Sequence, residues 1–99
     1  MSLLLATLLA STAVTPVIAH EDIVVFEAGG LVAPCREEAE AHFAGQGLPT
    51  YQWTASHKSR GNLLLVDGTL RVDGEDMEVA CRLSRGARLR YMALEISAR

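Results

Sequence analysis

Two cysteines, Cys35 and Cys81, constrain this 99-residue chain more than any other feature. In a short exported chain such a pair reads as one disulfide. The ring it would close is long, and chain-entropy bookkeeping puts its stabilisation at about 4 kcal/mol. A domain this small gains little net stability from its core alone, so a covalent tie of that size decides whether it folds. In a reducing compartment the same residues would be two buried thiols, so architecture and address are linked.

The address is read from residues 1–19, MSLLLATLLASTAVTPVIA, which hold no charged side chain. Leu3 to Leu9 is apolar, small residues and Pro16 follow, and Val17 and Ala19 suit cleavage before His20. That is the layout of a secretory signal peptide, although no Lys or Arg precedes the apolar run. A membrane anchor and a buried N-terminal helix are the competing readings; the run is short for a span and is diluted by Ser11, Thr12, Thr15 and Pro16. The expected organisation is a signal peptide over 1–19 and one domain over 20–99.

Along the domain, Ile23 to Phe26 is a β-branched run that predicts a short strand, and Gly29-Gly30 permits a reversal after it. Pro34 to Gly47 predicts a helix. Pro34 suits its first position, and Glu37 and Glu38 suit the first turn. Cys35, Ala39, His42 and Phe43 recur at helical spacing as one stripe, with His42 as a half-buried packing residue. Gly45 or Gly47 supplies the left-handed cap before Pro49. Thr50 to Lys58 alternates, with Tyr51 and Trp53 predicted as an aromatic pair facing the core and Ser59 to Asn62 as a turn.

Leu63 to Leu83 reads as a hairpin with two candidate turns, Asp67-Gly68 and Asp73-Gly74. A turn at the first pair leaves two four-residue strands. A turn at the second puts Leu64, Val66, Gly68, Leu70 and Val72 on one face of one long strand. The alternation favours the second, with Gly68 as a bulge or a point of close helix approach. Met77, Val79, Cys81 and Leu83 then face inward, the orientation that a bridge to the helix needs. Arg85 to Ala87 turns the chain, and Leu89 to Ile96 is the last predicted strand. The expected class is α+β: one helix on a four-stranded antiparallel meander, with an extra N-terminal strand and one disulfide.

Three patterns carry a resemblance: C-R-E-x-A-E-x-x-F from Cys35, P-T-Y-x-W-T from Pro49, and V-x-C-R-x-x-R-G-A from Val79. With them the chain resembles short uncharacterised bacterial periplasmic proteins that have one disulfide. The resemblance implies export and this layout, and no activity. The helix-then-meander order is also similar to cystatin-like and β-lactamase-inhibitor-like domains, a fold-level analogy that transfers no residues.

Functional signals are few. The net charge of −3 gives no reason to expect a nucleic-acid partner. His20, His42 and His57 lack metal-ligand spacing, so no cofactor is expected; only an N-terminal His20, after cleavage, would offer copper an amine and an imidazole. Ser56 and His57 fall on opposite faces of one strand, which disfavours them as nucleophile and base. Arg82, Arg85, Arg88 and Arg90 crowd the last hairpin and Arg71 sits on the neighbouring strand; of these, Arg71, Arg82, Arg88 and Arg90 form a candidate cationic patch on the exposed face of the meander. It would suit an anionic envelope polymer, a lipid head group or a periplasmic protein; the alternative is a solvated face with Glu78 and Glu95 as cross-strand partners. Tyr51 and Trp53 are weighed as a sugar or peptide groove against their place in the core. The functional expectation is an exported non-enzymatic binding domain, ahead of an enzyme inhibitor acting through Asp73 to Asp76, and ahead of a small hydrolase.

Overall fold

A computed structural model describes residues 22–99. The reading of residues 1–19 as a signal peptide, and of His20 as a copper ligand, lies outside the described residues.

The described residues run from a short strand β1 (Val24–Val25) through a 3-10 turn at Ala28–Leu31 into helix α1 (Val32–Ala44). After the helix come β2 (Thr50–Arg60), β3 (Leu63–Val72), β4 (Glu75–Ser84) and the two-residue β5 (Ala87–Arg88). A 3-10 turn at Leu89–Tyr91 leads to β6 (Ala93–Ala98). Strands β2, β3, β4 and β6 form an antiparallel sheet in that order, and β1 pairs with β5 in a separate ribbon. The class is α+β, with the helix laid on one face of the meander.

The helix begins two residues before Pro34 and ends before Gly45, so Glu37 and Glu38 lie beyond its first turn. Proline is accommodated because the first N–H groups of a helix have no intrahelical partner. Gly29 and Gly30 do not reverse the chain sharply; they belong to the 3-10 turn that leads into the helix. Gly47, at φ 74°, supplies the left-handed residue after the helix, while Gly45 stays right-handed. Cys35, Ala39 and Phe43 are buried, but His42 is exposed. Its ring meets the edge of Phe43 at 5.0 Å between centroids and lies 3.2 Å from the amide nitrogen of Gln46.

β3 runs unbroken through Gly68, and the chain turns at Asp73-Gly74, both with positive φ (48° and 84°). Two consecutive left-handed residues are what a tight turn between right-twisted strands requires, and Asp-Gly supplies them at low cost. Gly68 is neither a bulge nor a helix contact. It lies under the ring of Trp53 from the neighbouring strand.

Leu64, Val66, Leu70 and Val72 of β3 and Val79, Cys81 and Leu83 of β4 form the core with Leu31, Cys35, Ala39 and Phe43. Cys35 and Cys81 are joined, at 5.9 Å between Cα atoms, across 46 residues of sequence. The inward phase of Cys81 and the buried stripe of the helix therefore meet where the alternation puts them.

The last strand is shorter than the sequence predicts. Leu89 to Tyr91 coils, because Arg88 and Ala87 are drawn to β1: Val24 pairs with Arg88 and Val25 with Ala87. The backbone N–H of Gly86 donates to Val25 at 2.7 Å, and that of Leu89 to Ile23 at 2.9 Å. Only Val24 and Val25 of the predicted Ile23–Phe26 strand are paired.

Candidate binding face

Helix α1 covers one side of the sheet. Cross-strand partners point to the same side, so the register alone assigns the uncovered side. Lys58, Leu65, Arg82 and Ala93 make one row across the four strands; Ser56, Asp67, Ala80 and Glu95 make the next; Thr54, Thr69, Glu78 and Ser97 make the third. Short side chains dominate the third row and the centre of the second. With long charged side chains around them, they form the floor of a trough of about 720 Å³ lined by Thr54, Ser56, Thr69, Ala80 and Ser97 together with Asp67, Glu78 and Glu95.

The trough continues at both ends. Towards the β2–β3 turn lies a smaller hollow of about 240 Å³, where Lys58, Arg60 and Arg82 surround Leu65 and Ala93. Towards Asp73-Gly74 lies one of about 310 Å³, lined by Gln52, Arg71, Asp76 and Arg99. The two ends differ in how their charge is used. Arg71 donates to Asp76 at 3.1 Å, and Arg99 lies 3.7 Å from Asp76 and 4.0 Å from Glu78. At the other end Lys58, Arg60 and Arg82 have no ion-pair partner among the described residues; nor do Asp67 and Glu95 in the row beside them. The face therefore presents a cationic end, an acidic middle and a neutralised far end.

This divides the arginine cluster that the sequence suggests. Arg71 and Arg82 are on the open face, at opposite ends. Arg88 is on β5, opposite Val24, and Arg90 is in the 3-10 turn, hydrogen-bonded to Asp22. Neither belongs to the meander, because pairing with β1 takes that segment out of the sheet. The expected acidic partners also change: Glu78 faces Arg99, and Glu95 sits opposite Ala80. Sequence reasoning does not single out Lys58, Arg60 and Asp67 as binding residues: it reads Arg60 as part of a turn and Asp67 as a candidate turn residue, whereas both lie in strands.

The aromatic pair is divided: Trp53 packs partly buried against the core, and Tyr51 does not. Tyr51 is 57% exposed and Trp53 half-buried against Gly68. A helix of 13 residues is about 20 Å long, and an extended strand of 11 residues about 36 Å, so α1 leaves much of β2 uncovered. Ser56 is on the open face and His57 on the helix face, where its ring lies against Gly29, so the two cannot act as nucleophile and base. Of Asp73 to Asp76, only Asp73-Gly74 is a turn; Glu75 and Asp76 begin β4, and Asp76 is held by Arg71 and Arg99.

Among the described residues no group of three or more His, Cys, Asp or Glu side chains could hold a metal ion, and no helix is long and apolar enough to cross a membrane. Comparison with protein-family models, with curated proteins and with solved structures returns no match.

Proposed function

We propose that this chain is an exported, disulfide-stapled binding domain that engages a protein partner across the open face of its sheet. The observation that carries the reading is the alternation along the trough of charges that have no ion-pair partner among the described residues. Lys58, Arg60 and Arg82 gather at one end, and Asp67 and Glu95 lie beside them, over a floor of short polar side chains. Opposed patches of this kind steer and register a protein surface of complementary charge. An anionic polymer laid along the trough would meet Asp67, Glu78 and Glu95 in its middle, and like charge there opposes it.

The disulfide is compatible with an oxidising compartment. Together with the charge-free residues 1–19 it supports a periplasmic or secreted address.

Reversing Lys58 and Arg82 to Glu tests the reading against reversal of Arg88 and Arg90. The protein fraction of a periplasmic extract is expected to retain the wild type and R88E/R90E, but not K58E/R82E. Equal retention of both variants overturns the reading. Retention by protein-free envelope polymer alone replaces the partner class with the anionic polymer. One stoichiometric exported enzyme among the retained proteins makes the domain an inhibitor that acts through this face.

A further inference from the structure

Strand β2 is an outer strand of the sheet, hydrogen-bonded to β3 and, among the described residues, to no strand on its other side. Its register shifts between Thr50 and Trp53, and from Trp53 to Arg60 the pairing runs without interruption. Every second residue of that stretch turns its backbone N–H and C=O away from β3, and no turn or loop among the described residues bonds them. Long outer strands are usually blunted by proline, a bulge or inward-pointing charge, since free edges pair with other chains. From Trp53 to His57 this edge has none of these, and its first charge is Lys58.

We infer that β2 is a self-pairing edge, and that its occupant is β2 of a second copy of this chain, antiparallel about a two-fold axis normal to the sheet. Such an axis keeps each face on its own side, so it pairs odd-numbered residues with odd and even with even. Centred on Ala55, it sets Thr54 opposite the second copy's Ser56 and Trp53 opposite its His57. Centred on Ser56, it sets Thr54 opposite Lys58 and Ala55 opposite His57. In neither register does a charge oppose a like charge, because Lys58 and Arg60 lie at one end of the strand and are carried to opposite ends of the pair. A parallel arrangement in register would place Lys58 beside Lys58. The half-exposed indole of Trp53 gains cover in the antiparallel pair. The two sheets become one of eight strands, both helices on one side and both troughs on the other. The inference is independent of what the trough binds.

Sedimentation of the natively processed chain from micromolar to millimolar concentration tests it, read together with hydrogen exchange. The wild type is expected to dimerise on concentration, with alternate amides between Thr54 and Lys58 protected in the dimer. T54K/S56K opposes like charges in either register and is expected to weaken association about tenfold or more, with unchanged circular dichroism and melting. T54E substitutes the same exposed site with the opposite charge and is expected to remain dimeric. A wild type monomeric throughout overturns the inference, as does a T54K/S56K dimer of wild-type strength. Outward amides of β2 protected in a monomer also overturn it, since another segment then occupies the edge.

Discussion

The indole of Trp53 rests on the backbone of Gly68, so closely that a methyl group built there would lie 2.4 Å from Cη2 and 2.7 Å from Cζ3. The two residues are diagonal neighbours, since Trp53 pairs with Leu70 and Ala55 with Gly68. A large ring covering a strand glycine compensates for the side chain it lacks. Gly68→Ala must push a rigid ring off its seat, and overpacking of this kind costs about 1 to 3 kcal/mol. Trp53 is the sole tryptophan, so urea unfolding followed by its fluorescence reads both stability and ring exposure. In W53A, with unfolding followed by circular dichroism, the added Gly68→Ala should cost far less, because the clashing ring is gone.

The staple yields a second expectation. Cys35 and Cys81 are 0% and 2% exposed, so a reductant reaches them only when the structure opens. Neither should take up an alkylating reagent under native conditions, and intact mass should show two protons fewer than the reduced chain. A bridge across 46 residues is worth about 4 kcal/mol on chain-entropy grounds. Small domains have only about 5 to 15 kcal/mol in total, so C35A/C81A should shift the urea midpoint by a large fraction of its value.

Arg85 holds the β1–β5 ribbon to the main sheet. Its guanidinium donates to the carbonyl of Phe26 at 2.6 Å and to that of Gly61 at 3.4 Å, while its own N–H donates to Asn62 at 2.6 Å. Arg85→Ala should cost about 1 kcal/mol in global stability. The amides of Gly86 and Leu89, which donate to Val25 and Ile23, should exchange faster. Arg85→Lys should not restore them, because a single ammonium does not reproduce the fork that reaches both carbonyls.

Asp73 is the one non-glycine residue with positive φ among those described. Asn tolerates that conformation and a β-branched side chain does not. Asp73→Asn should leave the melting temperature nearly unchanged, whereas Asp73→Val should cost about 1 to 2 kcal/mol. Equal effects would mean that the turn is not fixed at Asp73-Gly74.

Much of this fold was legible because it is locally encoded. The alternation of Leu64, Val66, Leu70 and Val72 ran through Gly68 and chose the turn at Asp73-Gly74, and the phase of Val79, Cys81 and Leu83 aimed the disulfide. What escaped was non-local or a matter of coverage. Nothing near Val24 signals that it pairs with Arg88, yet that pairing removes Arg88 and Arg90 from the meander and shortens β6. Alternation put Trp53 on the helix face correctly, but the register of β2 shifts between Thr50 and Trp53, which breaks the phase that paired Tyr51 with it, and Tyr51 is exposed. His42 sat at the margin of the apolar stripe, where spacing cannot separate buried from exposed. The candidate face was half legible: Arg71 and Arg82 were placed on it, but its acidic middle emerges only when four strands are set side by side.

Mapping backbone amide shifts of the labelled protein during titration with the retained periplasmic protein tests the central claim most directly. Perturbations are expected at Thr54, Ser56, Asp67, Thr69, Ala80, Arg82 and Ser97, with Val24, Phe26 and Arg88 unmoved. Shifts confined to the β1–β5 ribbon or to α1, with the open face silent, would contradict it.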